Sequence, residues 1–263
     1  VSPRPDIRLE GVTRSFGTQP QAVEAVAATD LVLAGGTATA LVGPSGCGKS
    51  TLLRLIAGLD QPSAGRIAIG SESPDALRRR AGLAIAFQDA ALLPWRTVRG
   101  NVALGRSLAR RPKDPEADAA LIRLVGLAGF ERHRPAQLSG GMRQRAAIAR
   151  ALAGSPELLL LDEPFGALDE LTRERLNTEL APIWEAAGAS VLLVTHSVAE
   201  AVRLSDRVLV LSPRPARVIA DIATPLPRPR DPSVTGSAGF RDLCDEVRAA
   251  LRAAPPPDRL AAE

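Results

Sequence analysis

The chain contains no tyrosine, and aromatic residues make up 3% of its 263 positions, too few to build a stacking platform that reads bases. Two cysteines, Cys47 and Cys244, argue against a disulfide framework. Long apolar runs are missing too. Stretches such as Leu158 to Leu161 and Val191 to Val194 fall far short of the roughly 20 residues that cross a bilayer. The opening residues, Val1 to Asp6, lack the apolar core of a secretory signal, so the cytoplasm is the expected compartment. Lysine is nearly absent: arginine supplies the basic charge, and the two lysines are Lys49 and Lys113.

What remains is globular. A hydrophobic content of 45% can bury a sizeable core as one large domain or two joined subdomains. The net charge of +4 and pI near 9.9 come from scattered arginines, with Arg78-Arg79-Arg80 the only tight run. That pattern reads as a solvated surface rather than a nucleic-acid or anionic-membrane patch.

The surviving Lys49 sits in Gly43-Pro44-Ser45-Gly46-Cys47-Gly48-Lys49-Ser50-Thr51. This fits the phosphate-cradling pattern in which backbone N–H groups surround phosphate oxygens, a compact ammonium reaches the terminal phosphates, and a hydroxyl holds Mg²⁺. Context separates such a loop from an ordinary glycine-serine turn. Thr37 to Val42 reads as a buried strand, and Ser50 to Ala57, with Leu52, Leu53, Leu55 and Ile56, as a helix ended by Gly58.

Alternation over Ile7 to about Leu33 predicts a small antiparallel sheet. Buried strands then recur at Leu83 to Phe87, Leu158 to Leu161, Val191 to Thr195 and Arg207 to Leu211, which predicts a parallel α/β sheet. Residues 89–154 show helical spacing through Leu121, Leu124, Val125, Met142, Ala146, Ala149 and Ala153, a helical insertion. After Ser212 the chain is proline-rich, and Phe240, Leu243, Val247 and Leu251 predict a short docked helix. The expected organisation is an α/β core over 1–212, with a helical subdomain at about 89–154, and an extension over 213–263. Pro182 should kink or end the helix whose stripe is Leu176, Leu180, Ile183 and Trp184.

Asp162 and Glu163 end the all-apolar strand Leu158 to Leu161. A carboxylate there can bind Mg²⁺ facing the phosphates, and its neighbour can polarise an attacking water. Ser139 can cap a helix whose first residues, Gly140 and Gly141, leave the N–H groups open to an anion. Ser197 and Glu200 offer a capping box after His196, while His133 reads as a surface residue.

Taken in order, Gly43 to Thr51, Gln88, Leu138-Ser139-Gly140-Gly141-Met142, Asp162-Glu163, Ala167-Leu168-Asp169 and His196 resemble the ATP-binding cassette family, from residue 7 to about 212. The resemblance implies a P-loop NTPase fold of the RecA-like kind: a parallel sheet core, an N-terminal antiparallel β-subdomain and a helical insertion. It also implies ATP hydrolysis with ATP and Mg²⁺. By resemblance, Gln88 senses Mg²⁺ and the attacking water, and Ser50, Gln88 and Asp162 serve the metal. Glu163 and His196 serve hydrolysis, Phe16 stacks on adenine in place of the frequent tyrosine, and Asp169 lies in the loop linking two subunits. Two copies would join head to tail, each enclosing ATP between its own Gly43 to Thr51 and the partner's Leu138 to Met142.

Asp89 to Val98, with Leu92-Leu93-Pro94-Trp95, is similar to importers of the nitrate, sulfonate and taurine branch, as are Ser212-Pro213-Arg214-Pro215 and Leu226-Pro227-Arg228-Pro229-Arg230. The expected setting is peripheral, on the cytoplasmic face of the cell membrane, with integral permease subunits and, indirectly, an extracytoplasmic solute-binding protein as partners. Trp95 is expected in the groove that receives a permease helix, the alternative being a large aromatic buried in the helical subdomain. Nucleic acid is not an expected partner. The competing reading is a soluble cassette ATPase that drives a machine outside transport.

Overall fold

A computed structural model describes residues 4–18, 21–166, 168–186, 188–227, 230 and 232–255. Ala167, Arg228, Pro229, and the last prolines at 256 and 257 lie outside the described residues, as does the side chain of Ile183. In chain order the strands are β1 (Ile7–Phe16), β2 (Val23–Leu33), β3 (Ala38–Val42), β4 (Ala64–Ile69), β5 (Leu83–Ala86), β6 (Leu158–Asp162), β7 (Ser190–Val194), β8 (Arg207–Leu211) and β9 (Val218–Ala223). The helices are α1 (Lys49–Ile56), α2 (Pro74–Arg79), α3 (Val98–Leu108), α4 (Pro115–Leu124), α5 (Gly140–Ala153), α6 (Glu170–Ala186), α7 (Val198–Leu204) and α8 (Ala238–Arg252).

Among the described residues, nine strands form two sheets. The larger has the order β5-β6-β7-β3-β8-β9, parallel from β5 to β8 and antiparallel only at β9. Every residue of β3, β6 and β7 is buried. This is why these strands read as unbroken apolar runs: a parallel sheet is covered on both faces. Their side chains alternate between two cores. Leu158, Leu160, Leu192, Val194 and Leu41 face a core shared with α1 and the small sheet. Leu159, Leu161, Val191, Leu193 and Ala40 face a core shared with α5 to α8.

The small sheet has the order β2-β1-β4 and is antiparallel. The expected sheet is there, but Val23, Val26, Leu31 and Leu33 belong to one strand, and the third member is β4, which the sequence did not announce. Three corrections follow from packing. Of the two outcomes expected at Pro182 the early end is not found: α6 runs four residues past it, because tertiary contacts of the buried Leu176, Leu180 and Trp184 outweigh the lost hydrogen bond. His133 is half-buried with its ring 5.0 Å from that of Phe130 rather than free on the surface. The segment beyond Ser212 adds the edge strand β9 as well as the expected helix, and α8 buries Phe240, Cys244 and Val247 in the main core.

In the helical insertion, α3 and α5 cross so closely that a Cβ at Gly105 would sit 2.0 Å from the Arg150 carbonyl. The Arg106 to Asp118 ion pair, 2.9 Å and largely buried, ties α3 to α4. At the other end, Arg230 is 8% exposed and donates to the carbonyls of Val202 (3.3 Å), Arg203 (3.2 Å), Ser205 and Thr224 (2.7 Å). It thereby satisfies the orphan carbonyls at the end of α7 and fastens the C-terminal segment. Arg230→Ala removes the donor to the Val202 and Arg203 carbonyls, whereas Ser205 keeps the Thr224 hydroxyl and Thr224 keeps the Leu226 N–H. A loss of about 2–4 kcal/mol is expected, read as a melting temperature lower by roughly 5–10 °C.

Candidate nucleotide site

Parallel pairing brings the C-terminal ends of β5, β7, β3 and β6 to one edge of the sheet, the edge at which open α/β sheets bind ligands. β3 runs into Gly43 to Thr51, β6 ends on Asp162, β7 is followed by Thr195 and His196, and β5 leads to Gln88. A cleft of about 540 Å³ opens there, lined by Phe16, Val23, Ala25, Ser45, Gly46, Gly48, Lys49, Ser50, Thr51, Gln88, Glu163 and Arg214.

The loop turns on two glycines with left-handed backbone, Gly46 (φ 71°) and Gly48 (φ 121°). A Cβ at Gly48 would lie 2.6 Å from the Ala25 carbonyl, so the loop and β2 meet only because no side chain intervenes. Lys49 starts α1 and is 5% exposed; its Nζ donates to the carbonyls of Gly43 and Pro44, both at 2.8 Å. Cys47 is buried behind the loop.

Ser50 Oγ donates to Asp162 Oδ1 at 2.9 Å, joining the first turn of α1 to the end of β6. Burial pushes the Asp162 carboxyl above the ordinary aspartate range, against the pull of the Ser50 hydrogen bond. Glu163 follows in left-handed backbone (φ 46°), with its N–H donating to the Val194 carbonyl at 2.9 Å. Its Oε2 lies 3.4 Å from His196 Nδ1, so these two predicted residues meet, although His196 does not line the cleft and its side chain is 67% exposed. Beneath His196, Ser197 accepts from the Glu200 N–H at 3.3 Å, one half of the expected capping box. The other half is replaced: Thr195 Oγ1 accepts from the Ser197 N–H at 3.0 Å and donates to Glu200 Oε2 at 2.6 Å. The buried Glu200 also faces Arg173 at 3.6 Å, and burial raises its carboxyl.

Phe16 stands at the cleft rim, 43% exposed, with the Arg14 guanidinium carbon 4.5 Å from its ring centre. The remaining predicted residues lie elsewhere. Leu138 is buried, Ser139 caps α5 by accepting from the Met142 N–H at 3.3 Å, and Gly140 and Gly141 form its first turn. None of Leu138 to Met142, nor Asp169, lines this cleft. Asp169 instead caps α6 through the Thr172 N–H at 3.0 Å, and that bond holds its carboxyl below the usual range.

Sequence reasoning did not place Arg214 in the cleft. Its partner, the Gly46 carbonyl, is 168 positions away, and only the fold reveals the pairing.

Comparison with other proteins finds similarity along most of the chain. It is 46% identical over 247 residues to the aliphatic sulfonates import ATP-binding protein SsuB 1 of Burkholderia cenocepacia, covering 94% of this chain and 72% of that protein. It is 45% identical over 207 residues to the taurine import ATP-binding protein TauB of Burkholderia pseudomallei, covering 78% and 79% respectively. Among solved structures, the dimeric post-hydrolysis state of the ATP-binding cassette MJ0796 bound to ADP and Pi matches with a TM-score of 0.75 and 31% identity, over 83% of this chain and 98% of that one. A family model described as ABC transporter matches residues 26–166, more than half of the sequence, and with these relatives it shows that the chain belongs to the ABC transporter family.

Proposed function

We propose that this chain is the ATP-hydrolysing subunit that energises an importer of small solutes, of the sulfonate or taurine kind or a related anion such as nitrate. One observation supports it most: the phosphate loop, Gln88 and Glu163 line one cleft, with Asp162 and His196 tied to it, while Leu138 to Met142 lie outside it. A second copy of the chain, joined head to tail, supplies that helix tip to each cleft. The relatives named for import favour this reading over a machine outside transport.

In the proposed mechanism, Lys49 and the backbone N–H groups that the Gly43 to Thr51 loop offers beyond Pro44 hold the polyphosphate, and Phe16 stacks on adenine. Glu163 takes the proton from the attacking water. His196, whose Nδ1 is within 3.4 Å of that carboxylate, orients it and reaches the terminal phosphate. The partner's Ser139, Gly140 and Gly141 bring the N-terminus of α5 to the same phosphate. Asp169 works at the contact between the two copies.

Ser50, Gln88 and Asp162 would hold Mg²⁺. The donor set fits: a hydroxyl and a carboxylate already meet at 2.9 Å, and the buried carboxyl gains from a nearby cation. Among the described residues no cluster of three His, Cys, Asp or Glu is found, and phosphate and water oxygens would complete the shell. When bound, the ion neutralises charge that develops on the phosphate oxygens.

No described helix is long and apolar enough to cross a membrane, and attachment to permease subunits on the cytoplasmic face is proposed instead. Trp95, 68% exposed, is not buried in the helical subdomain and is free to line a docking groove. A solute-binding protein on the far side completes the pathway, and the permease, not this chain, selects the solute.

Glu163→Gln is expected to bind ATP, accumulate as a nucleotide-bound dimer and lose at least about a hundredfold in turnover, measured by phosphate release and size-exclusion chromatography. Asp162→Asn should separate stability from function. The fold raises the Asp162 pKa, so it favours the protonated form, and stability falls as pH rises through the ordinary aspartate range and beyond. The neutral amide removes that cost at pH 7, so the melting temperature without nucleotide should stay level or rise, while hydrolysis collapses. Trp95→Ala should leave basal hydrolysis of the isolated subunit unchanged and weaken copurification with its permease; unchanged association would remove Trp95 from the contact.

A further inference from the structure

Arg214 sits in the turn between β8 and β9 and reaches across to the phosphate loop. Its Nε and Nη2 donate to the Gly46 carbonyl at 3.3 and 3.2 Å, and its side chain lines the cleft with Lys49, Ser50 and Gln88. The turn beneath it is tied down. The Ser212 N–H donates to the Arg217 carbonyl (2.9 Å) and the Arg217 N–H to Ser212 Oγ (3.0 Å). Ala216 exchanges hydrogen bonds with β2, donating to Ala25 (3.0 Å) and accepting from Ala27 (3.1 Å). A fixed backbone therefore presents the guanidinium.

The donor arithmetic leaves this group under-used. A guanidinium has five N–H donors and keeps its charge at any pH a protein meets. The Gly46 carbonyl takes two of the five, and among the described residues no carboxylate pairs with Arg214. An exposed permanent cation with three free donors lines a cleft whose loop has the pattern that cradles phosphates.

We propose that Arg214 is a second phosphate-binding cation of the ATP site, bracing the Gly46 peptide with two donors and giving the others to the β- and γ-phosphates. This rests on the assignment of the cleft to ATP. It differs from Lys49 in origin: the loop supplies one cation, and a turn far along the chain supplies the other. The rival role is a brace alone, in which the guanidinium only holds the loop. Charge-neutral glutamine separates the two, because its amide can still donate to the Gly46 carbonyl.

The test is equilibrium titration of ATP, ADP and AMP into the full chain and its Arg214→Ala, Arg214→Gln and Arg214→Lys variants, with Lys49→Ala in parallel. Circular dichroism verifies that each variant is folded. Arg214→Ala and Arg214→Gln should bind ATP and ADP about tenfold more weakly, with AMP within roughly twofold. Arg214→Lys should recover most of the loss, and the neutral variants should show a shallower dependence of affinity on salt. ATP affinity of Arg214→Gln equal to wild type would overturn the proposal and leave a brace. So would an equal loss for AMP, which places the defect in loop shape. If Lys49→Ala also binds ATP normally, the assignment of the cleft itself is wrong; if only Lys49→Ala weakens ATP, the role of Arg214 alone falls.

Discussion

The register of the parallel strands is the constraint on which the rest of this molecule depends. Asp162 pairs with Val194, and Leu41 also pairs with Val194, so β6 and β7 end level and β3 runs one residue further into the phosphate loop. The ladder continues one step past the strands, from the Glu163 N–H to the Val194 carbonyl and from the Thr195 N–H to the Leu41 carbonyl. A slip of one residue would move a strand end by about 3.3 Å and turn its side chains to the opposite face. Such a slip would misplace the acidic pair or the phosphate loop. It would also exchange the sets of leucines that fill the two cores, and that packing penalty guards the geometry of the cleft.

Much of this was legible in the residues. The buried strands announce themselves because both faces are covered, and Ser139 caps α5 where its position before two glycines said it would. Features decided by tertiary packing were less visible. β4 is largely exposed and begins with Ala64-Gly65-Arg66, so it shows no alternation and exists because β1 offers it an edge. β9 likewise borrows its order from β8, through pairs such as Leu209 with Asp221 and through the diagonal ion pair in which the Arg207 guanidinium engages the Asp221 carboxylate at 2.6 Å. Glu200 matched a capping box by spacing, yet the Thr195 hydroxyl stands closer and takes its carboxylate. The Arg230 anchor could not be read at all, since most of its partners are backbone carbonyls far away in the sequence, joined by the Asp206 carboxylate at 3.5 Å.

The stretch from Phe87 to Trp95 has no regular secondary structure, yet three buried or half-buried side chains pin it. Gln144 donates to the Phe87 carbonyl at 2.7 Å, Arg150 to the carbonyls of Ala90 and Ala91 at 3.0 and 2.7 Å, and the fully buried Asn101 accepts from the Leu93 N–H at 2.8 Å. Two of the three are on α5, the helix that begins at Ser139. Gln88 in the cleft and Trp95 on the surface are thus connected by a segment referenced to α5 rather than to the sheet. A rigid-body shift of the helical insertion would carry both together. Under the proposed function, that is a physical route by which events at the phosphates would reach the proposed docking surface.

Glu163 occupies left-handed backbone (φ 46°), a conformation that costs a residue with a Cβ about 1 kcal/mol. Glycine or asparagine would be more comfortable there, but neither brings a carboxylate to the edge of the sheet. The folding optimum and the proposed working residue therefore differ at this position, as they do at the buried Asp162. In a randomised library, selection for thermal endurance alone would drift away from glutamate, and selection for solute uptake would pull it back.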